Sequence, residues 1–192
     1  MRIVAVRIVG GRHRGRALAA PPGEGTRPTG DRARQALFNI LEHGRFASSG
    51  SPIADALVLD VFAGTGALGL EALSRGAGRA VFFEQMPAAL KILQTNIASL
   101  GEAARAAVLA GDACQPPRAK ETARLVFLDP PYGKGLGVKA LAALADAGWI
   151  GPETLAMLEV GAGEAAAAPE GWALLDERRY GAARLLFLKL LV

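Results

Sequence analysis

Apolar residues fall along the chain in two alternating kinds of run. Short continuous ones, 56–61 (ALVLDV), 79–84 (RAVFFE), 106–110 (AAVLA), 124–129 (RLVFLD) and 154–160 (TLAMLEV), read as strands buried on both faces. Helical periodicity fills the intervals at about 67–76, 87–100, 114–120 and 137–147. Strands alternating with helices predict a parallel sheet with helices on both faces. Residues 172–179 and 184–191 flank Tyr180-Gly181-Ala182-Ala183 and predict a terminal hairpin. The expected class is therefore α/β, a seven-stranded, mostly parallel sheet with an antiparallel C-terminal hairpin.

The first quarter has another texture. Residues 2–9 alternate arginine with β-branched residues, and with 15–20 they predict a small basic hairpin around Gly10 and Gly11. Residues 21–28 are turn-forming, and Thr29 or Asp31 can cap a helix to about residue 43, with Ala33, Leu37, Ile40 and Leu41 on one face. Gly44 to Pro52 reads as a linker. Two units are expected: a basic extension over 1–45 and a main domain over 53–192.

Composition sharpens this division. With 192 residues, 51% of them hydrophobic, the chain can bury a substantial core. Residues 1–45 carry nine arginines against Glu24, Asp31 and Glu42, a charge of +6; the whole chain is +4, so the rest carries −2. A basic end on a near-neutral body suits a phosphate-backbone partner, the plain alternative being a solvated face. Every cation there is arginine, which forks onto phosphate and stacks on bases, and interleaved glycines allow close backbone approach. The single cysteine, Cys114, permits no internal disulfide, and with two histidines it makes no conventional zinc site. A reducing cytoplasm is the expected location. No signal peptide is expected, and no run reaches the ~18 apolar residues of a membrane helix.

Two motifs carry chemistry. The first is Leu59-Asp60-Val61-Phe62-Ala63-Gly64-Thr65-Gly66-Ala67-Leu68-Gly69, where a strand turns through glycines into a helix. Such a turn lets a ligand lie on bare backbone at a helix N-terminus. Gly64, Gly66 and Gly69 fit G-x-G-x-x-G, and Glu84, at the next strand's end, is placed for ribose hydroxyls. This alone does not separate a nicotinamide cofactor from S-adenosylmethionine. Asp60 tilts the choice, since a carboxylate there suits the amino end of a methionine moiety and would repel a pyrophosphate. Asp112, beside Ala113 after the third strand, is placed for an adenine amino group or, equally, as a helix N-cap.

The second motif is Asp129-Pro130-Pro131-Tyr132, directly after the fourth strand. Two prolines hold the backbone extended and remove two N–H donors. A carboxylate and nearby carbonyls can then converge as acceptors, followed by an aromatic ring. That suits an exocyclic amine on a flat base: both N–H groups are accepted and the lone pair turns toward an electrophile.

At these residues the chain resembles the D/N-P-P-Y/F amino-group methyltransferases of the class I methyltransferase fold. More narrowly, Arg7-Ile8-Val9-Gly10-Gly11, Arg14-Gly15-Arg16, Arg27-Pro28-Thr29-x-Asp31-Arg32-x-Arg34 and Ala36-Leu37-Phe38-Asn39-Ile40-Leu41 resemble the RsmD family of bacterial 16S rRNA guanine-N2 methyltransferases, as do 60–76 and Asp129–Tyr132. The amino-terminal block is the specific part. Gln35, where an acid is common, and Gln85-Met86 depart from the pattern. The resemblance implies that Asp129, Pro130, Pro131 and Tyr132 hold the target amine. It places S-adenosylmethionine, leaving as S-adenosylhomocysteine, against Asp60, Phe62, Ala63, Gly64, Thr65, Gly66, Glu84, Asp112 and Ala113, with no metal. Arg7, Arg12, Arg14, Arg16, Arg27, Arg32 and Arg34 are the expected RNA-facing set. The implied partner is 16S rRNA in the 30S subunit or a late assembly particle, met by a monomer with no membrane attachment. An adenine-N6 DNA methyltransferase would need a larger recognition domain. A glutamine-amide methyltransferase suits neither the basic start nor Asp129, and a non-catalytic RNA-binding module has no use for the second motif.

Overall fold

The computed structural model describes residues 6–21, 28–48, 50–164 and 168–191, with backbone alone for 28–30. Its main sheet joins β3 (Leu57–Val61), β4 (Arg79–Glu84), β5 (Ala106–Ala110), β6 (Leu125–Leu128), β7 (Leu155–Gly161), β8 (Trp172–Tyr180) and β9 (Ala183–Leu190) in the order β5-β4-β3-β6-β7-β9-β8. The five strands β3 to β7 are parallel, and β9 runs antiparallel to both β7 and β8. A separate two-stranded sheet pairs β1 (Val6–Arg7) with β2 (Ala17–Leu18). The α/β class and the closing hairpin are as the apolar runs predict. Among the described residues, no helix is long and apolar enough to cross a membrane.

Alternation along the buried strands sends side chains to two cores. Val58, Phe82, Phe127, Met157 and Phe187 face helices α1 (Pro28–His43), α2 (Ala67–Ser74) and α3 (Pro87–Leu100). Leu57, Leu59, Val61, Val126 and Leu128 face α4 (Leu136–Asp146), Trp149 and Trp172. From β3 the chain steps outward through β4 to β5, then returns to place β6 on the other side of β3. That reversal opens a crevice at the carboxyl ends of β3 and β6, where open α/β sheets bind ligands.

Three expectations need correction. Residues 114–120 form no helix, because Pro116-Pro117 removes two donors and forces the preceding residues out of the helical region. Helix α1 is described from Pro28 onward, so Thr29 and Asp31 lie within it rather than capping it. The segment read as a linker is packed down: Phe46 stacks on Phe187 with ring centroids 4.9 Å apart, and Arg45 donates to the Leu175 carbonyl.

The basic extension also shares the main core. Val6 and Leu18 of the small sheet, Ile8 just after β1, and Leu37, Phe38 and Leu41 of α1 are buried in the same cluster as Val58 and Phe127. Its polar anchor is Glu71 on α2, fully buried, whose Oε2 accepts from Val9 N–H at 2.7 Å and whose Oε1 accepts from Arg75 Nε at 2.7 Å. Ser74 accepts from His13 N–H and donates to the Gly10 carbonyl. Gly11 has φ +73°, and a Cβ on it would stand 2.0 Å from the Ser74 carbonyl oxygen. The close backbone approach expected of these glycines is thus made to α2.

Phe38→Ala should cost about 3–5 kcal/mol, as for large buried aromatics elsewhere. Because one core serves both units, urea unfolding followed by far-UV dichroism and by Trp149/Trp172 fluorescence should give one coincident transition in the wild type and in the variant.

Candidate active site

The glycine loop leaves β3 at Phe62, whose φ of 63° lies in the left-handed region a bulky residue rarely adopts. Gly66, at φ +78°, precedes α2, and a Cβ there would lie 2.4 Å from Leu93 Cδ1. Only glycine fits. Three buried polar side chains hold this loop. Glu84 Oε2 accepts from Gly64 N–H at 2.8 Å, while its Oε1 accepts from Gln85 and Met86 N–H at 2.8 and 2.7 Å. Asp60 Oδ2 accepts from Gly69 N–H at 2.8 Å. Asn96 on α3 donates to the Thr65 carbonyl at 2.9 Å and also bonds both the N–H and the carbonyl of Ala19.

One cavity of about 590 Å³ opens at the strand tips. Phe62, Gly64, Thr65, Glu84 and Ala113 line it from the first motif's side, and Asp129, Pro130, Pro131 and Tyr132 from the second's. The two motifs, 65 residues apart between Gly64 and Asp129, meet here. Ala63 and Gly66 shape the loop without forming the wall, and Asp112 is exposed at the rim, between Gly111 and Ala113, which do line it. Asp112 Oδ1 accepts from Cys114 N–H at 2.9 Å, so it closes a turn and caps no helix.

Two acids differ from their expected posture. Glu84 already accepts three backbone N–H bonds, which leaves one of about four acceptor positions free, on Oε2. Asp60 is only 2% exposed and does not reach the cavity wall. Burial pushes its pKa up to about 7 against the bond from Gly69, and the charges of Asp129 and Glu84 add to the rise. Its place is beneath the loop rather than facing a ligand.

On the second motif's side, Asp129 keeps a solvent-open face, while the protein around its carboxyl partly desolvates the charge. That desolvation, then the charge of Glu159, raises its pKa above the ordinary carboxylate range. Tyr132 is 49% exposed and donates its hydroxyl to Glu159 Oε1. Burial of the phenol and the Glu159 partner raise its pKa further. Glu164 Oε1 accepts from Gly133 N–H at 3.0 Å and from Gly161 N–H, fixing the segment after Tyr132.

The arginines divide. Arg34 is a correction: it is buried, donating to the Arg7 carbonyl and to Asp31 Oδ1, with Nε 3.8 Å from Glu71. Its guanidinium cannot present itself to a phosphate. Arg12 and Arg16 are exposed but each holds a partner: Arg12 pairs with Glu102, which His13 and Arg105 also contact, and Arg16 donates to the Ser99 carbonyl at 2.8 Å. Arg7, Arg14 and Arg32 are exposed, and Arg27 lies outside the described residues. Pro21, within the basic extension, is itself in the cavity wall.

Sequence reasoning missed Asn96 and Glu159. Asn96 sits in an amphipathic helix with nothing local to mark it. Glu159 had a signal, being the acid near the tip of a strand read as apolar, one strand away from Asp129.

Residues 6–189 match the family described as Conserved hypothetical protein 95. The chain is 43% identical to the ribosomal RNA small subunit methyltransferase D of Escherichia coli K12 over 155 residues, 80% of this chain and 74% of that protein. It is 35% identical to the protein of the same name from Haemophilus influenzae over 180 residues, 92% and 89% of the two chains. The solved structure of a putative methyltransferase, yhhF, from E. coli superposes with a TM-score of 0.81 at 36% identity, covering 97% and 98% of the two chains.

The raised Asp60 pKa has a stability consequence. Below about pH 4 the group is protonated in folded and unfolded chains alike. Between about 4 and about 7 the unfolded chain ionises first, so rising pH removes stability, in total on the order of 4 kcal/mol at about 1.4 kcal/mol per pKa unit. Asp60→Asn keeps an acceptor for Gly69 N–H and has no charge to bury. Urea titration should find the variant more stable than wild type by a few kcal/mol at pH 8 and nearly equal at pH 4; equal stabilities at pH 8 would contradict the assignment.

Proposed function

The chain belongs to the Conserved hypothetical protein 95 (RsmD) family of methyltransferases, and we propose that it transfers a methyl group from S-adenosylmethionine to the exocyclic N2 amine of a guanine in 16S ribosomal RNA. The observation that carries this reading is the single cavity in which the glycine loop and Glu84 face Asp129 through Tyr132. The methyltransferase relatives supply the donor, and the names of those relatives supply the RNA.

The residues present fit that donor. The cavity, about 590 Å³, lies in the range of small-molecule sites. Phe62, Met86 and Ile92 offer apolar wall for a flat base, and the free acceptor position of Glu84 suits a ribose hydroxyl. The carboxylates of Glu84 and Asp129 suit a ligand bearing positive charge. When bound, the donor supplies an electrophilic methyl on a sulfonium sulfur. The chain's own contribution is orientation and electrostatics. Asp129 and the Pro130 carbonyl accept the two amine hydrogens, aim the nitrogen lone pair into the cavity and disperse the positive charge that develops on nitrogen. Asp129, made more basic by its surroundings, is placed to take the amine proton. Tyr132, with its hydroxyl tethered, offers a ring for the flipped base. Arg7, Arg14 and Arg32 form the exposed basic face toward RNA, with Arg27 as a further candidate. We place the enzyme in the cytoplasm, acting as a monomer on the 30S subunit or a late assembly particle.

The test is methyl transfer from radiolabelled S-adenosylmethionine to 30S subunits from a strain lacking the activity, beside free 16S RNA, DNA and total protein. Label should appear as N2-methylguanosine, and Asp129→Ala should lower the rate roughly 100- to 1000-fold, the size typical of removing a developing-charge partner. Because the Asp129 carboxylate forms only as pH rises through its raised pKa, wild-type kcat/KM should climb with pH and level off; Asp129→Asn should lose that limb. Label confined to DNA or protein would refute the ribosomal reading.

A further inference from the structure

Leu128 of β6 and Leu158 of β7 are register partners. The next residues, Asp129 just past the end of β6 and Glu159 two residues before the end of β7, therefore stand side by side, with the strands roughly 4.8 Å apart. Glu159 Oε1 takes the Tyr132 hydroxyl, which fixes the carboxylate's position. Among the described residues its other oxygen accepts no hydrogen bond. Asp129 lines the larger cavity and Glu159 an adjoining smaller one of about 120 Å³; Pro130, Pro131, Tyr132 and Leu136 belong to both walls. Glu164, the third acid nearby, is committed to backbone N–H groups of Gly133 and Gly161.

Two neighbouring carboxylates repel, and a ligand that supplies a donor to each relieves that repulsion. Three nucleic-acid bases carry an exocyclic amine, and they differ at the adjacent ring nitrogen. Adenine N1 and cytosine N3 present a lone pair; guanine N1 presents an N–H, beside and parallel to an N2 hydrogen. Only guanine offers two adjacent donors to two adjacent acids.

We propose that Glu159 is a specificity-determining residue, accepting the N1–H of the target guanine while Asp129 holds its N2 amine. This rests on the functional reading above. Adenine or cytosine with its amine at Asp129 would set a lone pair against the Glu159 carboxylate, and a site built to accept an N–H strongly rejects a base lacking it.

The test places 2-aminopurine, which keeps the N2 amine but has a lone pair at N1, at the mapped target position of reconstituted small-subunit particles. Wild-type enzyme should favour guanine over 2-aminopurine by at least about 30-fold in kcat/KM. Glu159→Gln can turn its amide to donate to N1, and its preference should fall to about threefold, with S-adenosylmethionine affinity unchanged. A purely structural role would lower both rates together and leave the ratio intact, which overturns the inference. A wild-type preference below about fivefold overturns it without recourse to any variant. If wild-type enzyme yields no N2-methylguanosine on the unmodified particle, the functional reading itself fails and this inference with it. If it does so while Glu159→Gln keeps the wild-type ratio, this inference alone fails.

Discussion

The glycine loop is a stretch of bare backbone in a largely apolar setting, and its polar groups must be met by something. Glu84, Asp60 and Asn96 meet them, from β4, β3 and α3 respectively. Each of the three is buried. A donor site made from main chain can be no better placed than that main chain, so these three contacts set the geometry on which the cavity depends. Glu84 does so with charge-assisted bonds, among the stronger kinds available. Asp60 does so at the cost of its own ionisation.

Asn96 extends this constraint beyond the loop. The same carboxamide that holds the Thr65 carbonyl also bonds both backbone groups of Ala19, within the basic extension. Glu71, one helix away, fixes Val9 and Arg75. The basic segment and the glycine loop are thereby fastened to α2 and α3 in common. Arginine in this segment has two uses: Arg34 closes the fold, while Arg7, Arg14 and Arg32 remain outside it. Net charge by itself does not distinguish them.

Much of this was legible in the residues. Continuous apolar strands fixed the sheet, and the two motifs lay at strand ends where the topology reverses, so their meeting followed once β3 and β6 paired. Local signals failed where a contact is distant in sequence. Nothing near Asn96 marks it, because its partners lie 31 and 77 residues away. Arg34 looks like its exposed neighbours until α1 is docked. The helical period over 114–120 was outvoted by Pro116-Pro117. Asp60 reads as a ligand-facing acid from its position at a strand tip, yet Gly69 N–H, nine residues on, claims it first.

The most direct test of the central claim, that Glu84 holds the glycine loop in the form that the proposed cofactor needs, is calorimetric titration of S-adenosylmethionine into wild type and Glu84→Gln. An amide replaces one acceptor oxygen with a donor, so at least one of the Gly64, Gln85 and Met86 N–H groups must lose its partner. The variant should melt as a folded protein and bind S-adenosylmethionine at least about tenfold more weakly, the scale of one lost charge-assisted bond. A folded Glu84→Gln protein that binds S-adenosylmethionine as tightly as wild type would contradict the account.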